Sequence, residues 1–272
     1  MTTLKPYPGP VDGLVVTHDG AVLRLRLDRP HRRNAITDDI VLALCEIVDV
    51  AGSDEDVRVI HLSGSGDDFC SGFDLALRGG SDERPRAGAT QRQMRWHVNR
   101  LIPSMLECQT PIVASVSGWV AGLGMDLALA ADFVVAADDA RFWAPFTGSG
   151  FTPDSGASWL LTRMAGVARA KQMLMLGRQV SGATAAEWGL IHLAVPAADV
   201  DAESEALVAE LAGAATVSVG LAKLLVHRAL SSDLHRHLAD EGLVLEVASR
   251  SDDFKEAARS RREKRTTEFT GR

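Results

Sequence analysis

The chain has little of what staples, anchors or stacks. Three cysteines occur in 272 residues, Cys45, Cys70 and Cys108, far apart and without a CxxC pair. A disulfide framework and a zinc site are therefore not expected, and reduced thiols fit a cytoplasmic protein. Aromatic residues make up 5% of the chain, with a single tyrosine, and the net charge is −7. Both count against nucleic acid as a partner, which calls for a basic field and stacking side chains. No long apolar run is uninterrupted. The richest stretch, Pro111 to Ala137, is broken by Ser115, Ser117, Gly118, Gly122, Gly124, Asp126 and Asp132. It reads as strand, turn, helix and strand of a buried core, not as a membrane span. The opening MTTLKPYPGPVDG has neither a basic region nor an apolar core, so no secretory signal is expected. The eight histidines show no HxxxH pair on a plausible metal face, so no metal is expected. No serine sits in G-x-S-x-G, which disfavours a serine hydrolase. No G-x-G-x-x-G follows a strand, so a dinucleotide fold is not supported either.

With 46% hydrophobic residues, the chain can bury a sizeable core. Gly13 to Val16 and Ala21 to Leu27 read as strands around an Asp19–Gly20 turn. Arg29 to Thr37 is a basic loop, and Thr37 reads as the N-cap of a helix reaching about Val50. Val57 to Leu62 and Pro111 to Val116 are expected strands, and so are Phe133 to Ala136 and Leu190 to Val195. Arg78 to Arg92 is polar and reads as a mobile loop, with Met94 to Glu107 as the following helix. From about Asp199 only helical patterns remain. The expected division is an α/β core over 1–198 and a helical region over 199–272.

Three segments carry chemistry. FCSGFDL (Phe69 to Leu75) and SGWVAGLGMDLALA (Ser117 to Ala130) are Gly-broken, strand-to-helix turns. GFTPDSGASWLLTR (Gly150 to Arg163) places Asp154 in a Pro/Ser/Gly turn before an apolar helix. Glycine lets backbone approach a ligand closely, and amides at helix starts point outward. Two amide-rich turns and one placed acid suit a reaction in which a carbonyl oxygen becomes negative. Two fixed N–H groups stabilise that charge, and losing one costs on the order of 3 kcal/mol. Each glycine turn alone is better read as tight strand-to-helix packing. Asp154 alone could be a helix cap.

Taken together with LDRPHRRNAIT (Leu27 to Thr37), SGATAAEWGLIHLAVP (Ser181 to Pro196) and the ending EKRTTEFTGR, these motifs resemble the crotonase superfamily, the enoyl-CoA hydratase/isomerase family. The resemblance covers nearly the whole chain. It implies an α/β spiral of ββα turns with a helical C-terminal region that builds trimers, often paired into hexamers. It implies an acyl-CoA substrate and no cofactor beyond that coenzyme A. By the same resemblance the oxyanion donors are the amides of Phe73, after Gly72, and Leu123, between Gly122 and Gly124. At Leu123 many relatives have glycine, so the leucine side chain is expected to point elsewhere. Arg32, Arg33 and Ser71 fall in segments that approach coenzyme A. Lys264 falls where a neighbouring subunit's adenosine end is often reached; a solvated helix face is the equal alternative.

Two positions depart from the hydratase pattern. Asp126 stands where hydratases carry their first glutamate, and Phe146 where they carry their second. Asp154, eight residues after Phe146, stands where several isomerases place their carboxylate. Syn-hydration ordinarily uses two carboxylates to activate water and return a proton. A single acid beside apolar walls, here Phe146 and Trp143, suits moving a proton between carbons and would raise the acid's pKa. The expectation is therefore double-bond isomerisation by Asp154 with Asp126 assisting. Hydration by both acids, or acyl-CoA binding without chemistry, are the alternatives. Asp74 is expected to orient the first amide turn.

Overall fold

The computed structural model describes residues 7–78, 86–96 and 98–272. The chain begins with an antiparallel hairpin, β1 (Leu14–Asp19) and β2 (Val22–Leu27), turning at Gly20 with φ +59°. In β2 the leucines at 23, 25 and 27 face the core and Arg24 and Arg26 face outward, the period of a half-buried strand. Helix α1 (Asp38–Ala51) is capped by Thr37, whose hydroxyl accepts the Ile40 amide at 3.2 Å. It returns the chain to β3 (Val59–Gly64), parallel to β2.

After α2 (Ala89–Trp96) and α3 (Val98–Glu107) the chain feeds two sheets in alternation. Strand β4 (Ile112–Val116) joins the large sheet and β5 (Trp119–Ala121) the small one, followed by α4 (Leu123–Leu129). Strands β6 (Phe133–Ala137) and β7 (Arg141–Trp143) repeat the pattern, followed by α5 (Ala157–Met164) and α6 (Gly166–Leu176). Strand β8 (Val180–Ser181), α7 (Gly182–Glu187) and β9 (Leu193–Val195) complete it. The large sheet runs β1-β2-β3-β4-β6-β9 and the small one β5-β7-β8. This is the expected α/β spiral of ββα turns, and a helical C-terminal region follows it.

Differences from the sequence reading are local. The three strands of the small sheet were not expected, because runs of two or three residues between glycines carry no period of their own. The Arg78 to Arg92 loop gives way to α2 at Ala89, and 79–85 lie outside the described residues. Ala, Gln and Arg favour helix despite their polarity, which is what concealed this turn. The single helix expected over Met94 to Glu107 is divided between α2 and α3.

The C-terminal helices are α8 (Val200–Gly213), α9 (Thr216–Ala229), α10 (Leu234–Ala248) and α11 (Asp252–Glu263). Val208 and Leu211 of α8 pack on Val59 and Val113 of the large sheet. The buried Lys223 of α9 donates to Asp132 at 2.7 Å and to the Met105 carbonyl at 2.8 Å. Helix α10 buries none of its residues, and Leu234, Leu238, Leu243, Leu245 and Val247 stay exposed. The basic run of α11 is largely paired internally, Lys255 with Asp252 and both Arg259 and Arg265 with Glu256. Among the described residues no single helix is long and apolar enough to cross a membrane.

Candidate active site

Backbone hydrogen bonds lace the two glycine turns together. Cys70 donates its amide to the Trp119 carbonyl at 2.9 Å and accepts the Ala121 amide at 2.9 Å. Gly72 follows at φ +102°, a conformation that favours glycine. A Cβ there would lie 2.9 Å from the Ala121 carbonyl oxygen. Gly124 lets α4 begin directly against Cys70, since a Cβ would meet its side chain at 2.6 Å. Gly122, at φ +53°, spends its own amide on the Trp143 carbonyl at 2.9 Å. The next amide, that of Leu123, is the first of α4 and has no acceptor in the preceding turn. The Leu123 side chain is buried in the main core, so the leucine keeps the donor and adds packing.

The first turn is held from both sides. Ile36 donates to the Gly72 carbonyl at 2.8 Å and accepts the Asp74 amide at 2.9 Å, which fixes the peptides around Phe73. The Asp74 carboxylate pairs with Arg29 at 3.0 Å and accepts the Ala76 amide at 3.3 Å. Asp74 thus orients the turn as the sequence implied. Arg29 also reaches the Ala35 carbonyl at 2.6 Å. The buried Asn34, at φ +55°, ties this loop to the Ser65 and Asp68 carbonyls at 2.9 and 2.6 Å.

Both turns border one cavity of about 120 Å³, together with Phe146, Met94, Val98, Asp154 and Ser155. Among the described residues lining it, Asp154 is the single ionisable group. Phe146 is 9% exposed and supplies apolar wall where a second acid would have stood.

Asp126 does not line the cavity. It is fully buried in α4, with one carboxyl oxygen accepting the Ser155 hydroxyl and the other without a hydrogen-bond partner. Burial raises its pKa to about 7; the Ser155 hydroxyl and the Ala157 amide oppose that rise, and nearby Asp154 adds to it. The residue at the start of α5 is Gly156, with no side-chain cap bond. An acid from another helix, Asp126, is thereby linked to the start of α5 through Ser155.

The raised pKa has a thermodynamic consequence. Below about pH 4 the carboxyl of Asp126 is protonated in both folded and unfolded chains, and stability is unaffected by it. Between about pH 4 and 7 the unfolded chain releases the proton while the fold retains it, so stability falls as pH rises, by on the order of 4 kcal/mol. Asp126→Asn is expected to flatten this slope. Urea midpoints at pH 5 and pH 8 for both proteins measure it, and parallel curves would contradict it.

A larger cleft, about 1110 Å³ and polar, lies over the outer face of the large sheet. There His61 Nε2 meets Ser115 Oγ at 2.6 Å, while Arg24 donates to His61 Nδ1 at 2.9 Å. The imidazole lone pair therefore faces Arg24, so His61 donates to Ser115 and cannot serve as its base. That pair therefore offers no activated nucleophile, and the candidate site is the smaller cavity.

The profile of the family described as "Enoyl-CoA hydratase/isomerase" matches residues 17–272. The chain belongs to the enoyl-CoA hydratase/isomerase family. It is 33% identical over 259 residues to the 1,2-epoxyphenylacetyl-CoA isomerase of Escherichia coli strain K12, covering 95% of this chain and 98% of that protein. It is 27% identical over 261 residues to the crotonyl-CoA hydratase of Syntrophomonas wolfei, covering 95% and 98%. The crystal structure of an enoyl-CoA hydratase from Bacillus anthracis superposes with a TM-score of 0.88 at 27% identity, covering 96% of this chain and all of that one.

For an enzyme of the enoyl-CoA hydratase/isomerase family, the remaining expected residues fall into place unevenly. Ser71 borders the cavity and binds the basic loop, donating its amide to the Arg33 carbonyl at 2.9 Å and its hydroxyl to that of Arg32 at 3.2 Å. Both arginine side chains are exposed; Arg33 lies 3.8 Å from Asp68 and over the Trp119 ring. Lys264 is exposed at the end of α11, apart from its own chain's cavity. Trp143 is placed differently from expectation. Its ring pairs with Trp119 at 5.6 Å and its indole N–H donates to the Gly177 carbonyl at 3.0 Å, so Phe146 forms the wall without it. Sequence reasoning passed over Ser155, Arg29 and Asn34. Ser155 had a signal, being next to Asp154 in the same turn. Arg29 and Asn34 act through loop contacts that no spacing announces.

Proposed function

We propose that the chain is an enoyl-CoA isomerase. The observation that carries this reading is the cavity with two converging glycine turns and one ionisable side chain, Asp154. The thioester oxygen of a 3-enoyl-CoA accepts the Phe73 and Leu123 amides. The Asp154 carboxylate removes a proton from C2, and the electron pair passes into a dienolate whose oxygen those amides stabilise. The Asp154 carboxylic acid then returns the proton to C4, giving the conjugated 2-enoyl thioester and the carboxylate again. Phe146 supplies no group to hold or activate water. The Escherichia coli relative is named an isomerase, of an epoxide thioester, and the Syntrophomonas wolfei relative a hydratase, so the names support the family's chemistry in common and the cavity carries the choice.

Hydration by Asp126 and Asp154 is the second reading, favoured by the link between the buried acid and the cavity through Ser155. In either case Arg32, Arg33 and Ser71 would hold the coenzyme A portion, with Lys264 reaching a neighbouring subunit's adenosine end. The exposed leucines of α10 support self-association as a trimer or hexamer.

Purified protein offered a 3-enoyl-CoA is expected to produce the conjugated thioester, followed by its absorbance, and to leave crotonyl-CoA largely unhydrated. Hydration of crotonyl-CoA without conversion of the 3-enoyl substrate would overturn the isomerase assignment. Acyl-CoA binding without turnover of either would favour a binding protein.

A further inference from the structure

The turn that carries Asp154 is tied to another helix. Helix α5 starts at Ala157 behind Gly156, at φ +116°, with no side-chain cap bond. The tie comes from α4. The Ser155 hydroxyl donates to Asp126, and the Ala157 amide acts on the same carboxyl. Asp126 lies three residues after Leu123, so one helical turn separates the oxyanion donor from this anchor. Its neighbours Met125, Leu127 and Ala128 are apolar and fully packed. A buried carboxyl with one oxygen unpartnered destabilises such a site, and an apolar side chain would not.

We propose that Asp126 and Ser155 form a positioning pair, through which α4 sets the distance between the amide that holds the thioester oxygen and the carboxylate of Asp154. On this account Asp126 transfers no proton. Ser155 is the hinge pin between a rigid helix start and the acid-bearing turn. The inference rests on Asp154 being the acid/base of the isomerase reading, and it separates Asp126 from the proton-transferring role that hydration would give it. A displacement of about 1 Å at a reacting group can cost 10²-fold.

The test uses the full-length enzyme with a 3-enoyl-CoA. Ser155→Ala and Asp126→Ala are each expected to lower kcat by about 30- to 100-fold, with KM within about threefold of wild type. The double variant is expected to be no slower than the slower single one, because both remove the same link. Asp126→Asn, whose amide oxygen still accepts the Ser155 hydroxyl, is expected to recover kcat to within about fivefold of wild type. Full kcat in Ser155→Ala, or losses that multiply in the double variant, would overturn the pair. So would Asp126→Asn being as slow as Asp126→Ala, since that outcome assigns Asp126 a proton. Should Asp126→Ala fail to fold, Ser155→Ala combined with Asp126→Asn completes the cycle. Asp154→Asn keeps the two proposals apart. If it remains active, the isomerase reading fails; if it is inactive while Ser155→Ala is normal, only the positioning pair fails.

Discussion

Asp154→Asn is expected to lower the isomerisation rate by at least about a hundredfold while leaving acyl-CoA affinity close to wild type. General acid–base catalysis by a placed side chain contributes typically 10²- to 10⁴-fold. Among the described residues around the cavity no second ionisable group stands ready to replace it. Asparagine matches aspartate in size and leaves the Ser155 link to Asp126 in place, so the turn keeps its shape. The side chain is exposed, and the change in folding stability should stay within about 0.5 kcal/mol. Steady-state kinetics with a 3-enoyl-CoA, beside a thermal melt, separate loss of chemistry from loss of fold. An unchanged rate, with Asp126→Asn inactive, would show that the working carboxylate is the buried one.

Gly72→Ala is expected to cost kcat about 10²- to 10³-fold, the effect of losing one oxyanion donor. Two features make the position intolerant. Its φ of +102° is strained for any residue with a Cβ, and that Cβ would meet the Ala121 carbonyl oxygen at 2.9 Å. Ala121 cannot retreat, because its amide is bonded to Cys70 within the lacing between the turns. The backbone at 72 must therefore shift, and the Phe73 amide shifts with it. Leu123→Ala is the informative contrast. It keeps the N–H and removes only packing, so its kcat should fall far less than that of Gly72→Ala. Equal losses in the two variants, or a normal kcat for Gly72→Ala, would remove Phe73 from the oxyanion hole.

Much of this was legible in the residues. Thr37 announced its helix, the leucines of β2 announced their strand, and the two glycine turns announced close backbone approach. Those signals are local, and local physics produces them. Asp126 read as an acid in an apolar helix with a role at the site; its partner could not be read, because Ser155 lies 29 residues away in another turn. Trp143 reads as an apolar wall beside the acid. At the end of β7, however, its ring turns to Trp119, a cross-strand contact that no local pattern announces. The two-residue strand β8 and the helix start at Ala89 lay below what a pattern can show. The strand is too short to carry a period, and the helix start is too polar to show an apolar face.

Both proposed oxyanion donors belong to the main chain, and the bonds that aim them run from peptide to peptide. Carbonyl activation is thereby insulated from side-chain identity at positions 73 and 123. The half-buried side chain at 73 can change and remodel the chamber while its N–H stays, whereas Leu123 is held in addition by core packing. One scaffold of this kind can be retuned from one thioester to another by single heritable changes.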